Sequence, residues 1–165
     1  EDAWNRREAG RTAADAFGMT EALAPERRVE IDAPDLELTL PARPENVAVA
    51  RHAIGGFADV HAMPDQTLAD VKLAVTEACT NVVIHAYEPD ENGSLEVDAS
   101  IRDRRLKVVI RDRGRGIVPR PDSPGLGLGL PLIATLAETL ELGKDDQDNT
   151  EVRMTFALDV EGPLL

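Results

Sequence analysis

The sequence has a single cysteine, Cys79, which excludes an internal disulfide and a cysteine-built metal cluster. Aromatic residues make up 3% of the 165 positions, so any core has to be assembled from aliphatic side chains. No apolar run approaches the length of a membrane-spanning helix, and the first residues do not read as a signal peptide. A cytoplasmic location is the expectation. Cations are scarce too: 18 Lys and Arg stand against 31 Asp and Glu, a net charge of −13. That balance argues against direct binding to nucleic acid or to an anionic membrane and permits a basic protein partner. Internal repeats are absent.

What remains is 42% apolar and 30% charged, enough for one domain with a sizeable core and an extension. Residues 1–34 are polar and alanine-rich, with Trp4 and Phe17 as the only large anchors of a candidate helix over Ala3–Phe17. Met19 followed by Thr-Glu-Ala resembles a start, so residues 1–18 are as readily a borrowed segment as a native one. Leu36, Leu38 and Leu40 alternate with polar residues and predict a strand. Helices are predicted from Pro44 to Val60, with the proline in the first turn, and from about Asp65 to Tyr87, ending before Pro89. Ser94–Ile101 and Leu106–Ile110 read as a hairpin across the turn Arg102–Arg105. Residues 111–129 are a loop rich in Gly, Pro and Arg, and Leu130–Leu140 resumes helical spacing. A short strand at Leu140–Leu142, a turn at Asp145–Asn149 and a core-facing strand over Thr150–Leu158 complete the pattern. These elements predict an α/β two-layer sandwich, with a mixed, largely antiparallel sheet covered on one face by helices. The hairpin excludes a purely parallel doubly wound fold.

Three stretches carry chemistry. In EACTNVVIHAY, residues 77–87, Glu77, Asn81 and His85 recur every four residues and line one face of a helix. The apolar stripe Leu68, Val71, Val75, Ala78, Val82 and Ala86 centres about a quarter turn away, so the polar row runs beside the core. RDRGRGI, residues 111–117, follows a strand, and PGLGLGL, residues 124–130, precedes a helix. Neither is a P-loop, because no Gly-Lys-Ser or Gly-Lys-Thr follows, and neither has the strand-to-helix setting of a dinucleotide fingerprint. Gly125, Gly127 and Gly129 would instead place open backbone N–H groups at a helix N-terminus, a ready phosphate site. Asp112 ends a strand just before two glycines, where its carboxylate can accept a hydrogen bond inside a tight pocket.

Together these stretches resemble the GHKL ATP-binding superfamily, and within it the bacterial anti-sigma-factor serine kinases. That family's boxes are Glu-Ala-x-Thr-Asn followed by His-Ala-Tyr, then Asp-x-Gly-x-Gly-Ile, a glycine box, and a threonine on the last strand. They correspond here to residues 77–87, Asp112–Ile117, GLGLGL at 125–130 and Thr150, in the same order over residues 35–160. Asn149 stands where the family has a glycine before that threonine. The resemblance implies a Bergerat-type ATP-binding kinase domain at 35–160, an N-terminal extension at 1–34 and a tail at 161–165. It implies ATP and Mg²⁺ as cofactors, with Glu77 as general base and Asn81 as metal ligand. Asp112 and Thr150 would hold the adenine, Gly114 and Gly116 would let backbone approach the base, and Gly125, Gly127, Gly129 and Leu130 would hold phosphates. Arg113, Arg115 and Arg120 lie on the intervening lid. The implied partners are a sigma factor, which the protein sequesters, and an anti-sigma-factor antagonist, which it phosphorylates on serine, with the kinase acting as a homodimer. The alternative is an ATP-switched binding module without kinase activity. The catalytic half of a sensor histidine kinase fits less well, since residues 1–34 contain no phosphoacceptor histidine.

Overall fold

A computed structural model of the chain describes residues 33–115 and 129–158. The candidate helix at Ala3–Phe17 and the 161–165 tail lie outside them. The described elements run β1 (Leu36–Pro41), α1 (Pro44–Val60), α2 (Asp65–Asn81), a π-helical turn (Val82–Ala86), β2 (Ser94–Arg102), β3 (Arg105–Asp112), α3 (Gly129–Leu136), β4 (Thr139–Lys144) and β5 (Thr150–Ala157). The five strands form one sheet in the order β1-β2-β3-β5-β4. Every pairing among them is antiparallel, so the parallel component allowed by a mixed sheet is not present among the described strands.

Alternation decides the two faces. Leu95, Val97 and Ala99 of β2, Leu106, Val108 and Ile110 of β3, and Val152, Met154 and Phe156 of β5 all point inward and are buried. They meet Ala50, Ile54 and Ala58 of α1, Val71, Ala74, Val75 and Ala78 of α2, and Ile133 of α3. Each such buried Leu, Ile, Val or Phe side chain contributes about 1.5–3 kcal/mol, so an aliphatic core suffices where aromatics are few. Cys79 belongs to this core; burial pushes its thiol up to about 12, which keeps it protonated and unreactive.

The opposite face is charged. Cross-strand register sets Arg111 between Glu96 and Glu151, and its guanidinium also reaches Asp98 and Asp145. Burial works to raise the Glu151 carboxyl, but hydrogen bonds from Arg111 and Arg153 outweigh it and hold the group below its ordinary value. The Asp98 carboxyl is raised, because burial there exceeds the pull of Arg111.

β3 runs on to Asp112, two residues into the expected loop, and two helices end earlier than the sequence predicts. The helix expected over Leu130–Leu140 stops at Leu136, and Leu140 instead pairs with Met154 in a strand twice the expected length. The helix expected to run through Tyr87 is α-helical only to Asn81 and then widens into the π turn. The β2–β3 hairpin closes on Asp103 and Arg104, both at positive φ (50° and 58°), the backbone that two-residue hairpin loops use.

Candidate functional site

The polar row runs along α2 through Glu77 and Asn81 and into the π turn at His85. Glu77 is half-buried, Asn81 buried and His85 half-buried, beside an apolar stripe in which Val71, Val75, Ala78, Val82 and Ala86 are buried and Leu68 is partly so. Among the described residues, two polar atoms of this row, Asn81 Nδ2 and His85 Nε2, are buried without a hydrogen-bond partner. An unpaired buried polar group costs about 1–3 kcal/mol, and such a cost is expected where a ligand completes the bonding. His52 and His61, by contrast, bond through Nδ1 to carbonyls of their own helix, Ala48 and Phe57.

The glycine box reaches the row from the neighbouring helix. Gly129 opens α3 and lies so close to Asn81 that a Cβ there would stand 2.9 Å from Nδ2 and 3.3 Å from Oδ1. Only glycine lets the α3 N-terminus, with its outward N–H groups, sit against the Asn81 amide. Leu130 follows it, with its side chain packed on the core. Gly116, Gly125 and Gly127, together with Arg120, lie outside the described residues.

A third part assembles at the end of β3. Asp112 is buried, and register places it directly across from Thr150 on β5 and Leu95 on β2. Its Oδ1 accepts a hydrogen bond from the Gly114 N–H at 3.0 Å. Gly114 backs onto the π turn, where a Cβ would fall 2.0 Å from the Ala86 carbonyl oxygen, and that oxygen accepts the Arg115 N–H at 2.9 Å. Asn149, at the position where the resemblance has glycine, is held by Asp145: its N–H and side-chain amide donate to the two carboxylate oxygens at 2.9 and 2.8 Å. These bonds, the side-chain amide first, lower the Asp145 carboxyl.

The structure thus sets Gly129 of α3 against Asn81, one helical turn beyond Glu77 on α2, and places Asp112 beside Gly114 and across from Thr150 at the β3–β5 end. The π turn joins the two groups. Arg113 and Arg115 are turned elsewhere: Arg113 pairs with Glu96 at 2.7 Å, and Arg115 pairs with Glu88 at 2.5 Å. Sequence reasoning missed Tyr87, whose hydroxyl donates to the Ser94 carbonyl at 2.6 Å and accepts the Arg113 N–H at 2.9 Å. The available signal was a lone tyrosine in a chain poor in aromatics, closing the helix that carries the polar row.

Comparison with known proteins bears on the family and the fold. A family model described as histidine kinase-like ATPase domain matches residues 40–156. A serine-protein kinase RsbW of Halalkalibacterium halodurans is 34% identical over 125 residues, covering 67% of this chain and 76% of that protein. An anti-sigma F factor of Clostridium botulinum is 33% identical over 131 residues, covering 72% of this chain and 91% of that one. Among solved structures, the RsbU and RsbW domains of a Mycobacterium tuberculosis protein superpose with a TM-score of 0.61 at 20% identity. The match covers 79% of this chain and 34% of that one, and it supports the fold alone.

Proposed function

The chain belongs to the histidine kinase-like ATPase domain family, and we infer that it is an ATP-dependent protein serine kinase and anti-sigma factor. In this reading it binds and withholds a sigma factor and phosphorylates a serine of that factor's antagonist, acting as a homodimer. The observation that carries it is the half-buried carboxylate of Glu77, one helical turn before an Asn81 amide that has a buried, unpartnered nitrogen and faces the α3 N-terminus. A module that only binds ATP has less need of a base at that place.

The adenine would lie at Asp112 and Thr150, with the Asp112 carboxylate accepting the base's amino group and Gly114 giving the base room. The phosphates would lie toward Gly129 and the loop before it, where backbone N–H groups suit anions. Mg²⁺ fits the donor set, in which the Asn81 amide oxygen would be a hard ligand. Among the described residues no group of three or more His, Cys, Asp or Glu could hold a metal unaided, so nucleotide oxygens and water would complete the shell. When bound, the ion neutralises charge on the phosphates. Glu77 takes the proton from the substrate serine hydroxyl as its oxygen bonds to the γ-phosphorus and the bond to the ADP oxygen breaks.

Incubation with radiolabelled ATP, Mg²⁺ and the native antagonist tests the reading. The expected product is an acid-stable phosphoserine on the antagonist. Loss of the label in acid would indicate phosphohistidine and overturn it. ATP binding with no label transferred would favour the nucleotide-switched module.

The surface meeting the sigma factor should be acidic, given the net charge of −13 and the basic DNA-contacting surface such a factor carries. Within the candidate stretch Asp90–Glu96, Glu96 is buried and engaged by Arg111 and Arg113, which leaves Asp90 and Glu91 as its exposed carboxylates. Association should slow and weaken as salt shortens the screening length from about 10 Å at 0.1 M to about 3 Å at 1 M. Binding kinetics indifferent to salt would argue against an acidic docking surface.

A further inference from the structure

We propose that Tyr87 is a positioning residue for Asp112, setting the preference for a purine with a 6-amino group; this rests on Asp112 being the adenine acceptor. Asp112 ends β3, flanked by Arg113, next in the chain, and by Ser94, which precedes its cross-strand partner Leu95. The Tyr87 hydroxyl binds both, accepting the Arg113 N–H at 2.9 Å and donating to the Ser94 carbonyl at 2.6 Å. One side chain therefore clamps the end of β3 to the start of β2.

The ring is seated between two glycines. A Cβ on Gly93 would stand 2.3 Å from ring carbons Cδ2 and Cε2, and one on Gly114 would stand 3.0 Å from Cδ1. Beside it lies an open pocket of about 400 Å³, lined by Tyr87, Asn92, Gly93, Arg113 and Gly114 among others. The two hydroxyl bonds, together with this seat, fix the ring's place. Releasing them frees the Arg113 backbone, then the Gly114 N–H that bonds Asp112 Oδ1, and so the carboxylate itself. Tyr87 also closes the π turn that starts after Asn81, so the clamp ties the base end of the site to the polar row. Single π turns of this kind recur at functional sites.

The test is calorimetric titration of wild type, Tyr87→Phe and Gly93→Ala with ATP and with purine riboside triphosphate, which lacks the amino group. Gly93→Ala pushes the ring from behind without touching either hydrogen bond directly. Wild type should favour ATP by about tenfold or more. Both variants should lose about three- to tenfold in ATP affinity and keep their affinity for the analogue, so the ratio collapses. In the phosphotransfer assay KM for ATP should rise while kcat holds. Equal losses for the two nucleotides would mark a general structural defect and overturn the proposal, as would an unchanged ratio in a folded Tyr87→Phe chain. A wild type that binds ATP and the analogue alike would instead remove Asp112 from the adenine, and the proposal with it.

Discussion

Glu77→Gln is expected to leave ATP affinity within about twofold while cutting phosphotransfer by about 10²–10⁴-fold, the range for loss of a general base. The amide keeps the shape and most of the hydrogen-bonding capacity of the carboxylate, so α2 and its packing should be undisturbed. What disappears is a group able to take the serine proton. Glu77 is half-buried one turn before Asn81, which places it beside the proposed metal and phosphate position rather than at the adenine end. Asn81→Ala should separate from it by weakening the Mg²⁺-dependent part of ATP binding together with transfer. Single-turnover assays at saturating ATP, paired with calorimetry, read both effects. A Glu77→Gln chain as active as wild type would place the base elsewhere.

The components of this site were legible because they are local patterns. Four-residue spacing put Glu77, Asn81 and His85 on one face, and strand alternation put Asp112 at the end of β3. The α3 boundary was not legible, for a physical reason. Leu130, Ile133, Leu136 and Leu140 continue helical spacing without a break, so periodicity alone carries the helix onward. Sheet pairing overrides it: the Glu138 N–H donates to the Thr155 carbonyl at 2.8 Å, its carboxylate pairs with Arg105, and the chain leaves the helix for β4. The π turn escaped the same way, since a widened turn keeps Val82 and Ala86 buried as an α-helix would. The Arg115 N–H that bonds the Ala86 carbonyl at the end of this turn comes from 29 positions away in the sequence (115 − 86). Arg111 likewise reads as the first residue of a loop in the sequence, whereas it lies within β3, and only register reveals that it joins carboxylates from three other segments.

Asp112→Asn bears on the other end of the site. The substitution preserves volume, and the asparagine oxygen can still accept the Gly114 N–H that the carboxylate accepts at 3.0 Å, so the turn after β3 should survive. Toward the nucleotide the exchange is unfavourable in either orientation. An amide that offers its oxygen to Gly114 presents N–H₂ to the base, a donor against the adenine amino donor. The reverse orientation offers the base a neutral acceptor in place of a charged one and leaves the Gly114 N–H facing a donor. A hydrogen bond to a charged group contributes about 1.5–3 kcal/mol, which converts to a loss of about 10- to 150-fold in ATP affinity. The loss should fall on adenine recognition: purine riboside triphosphate should bind the variant nearly as well as it binds wild type, and kcat at saturating ATP should change less than KM. Calorimetry on a chain whose thermal melt matches wild type makes the comparison, and an unaltered ATP affinity there would take Asp112 out of the site.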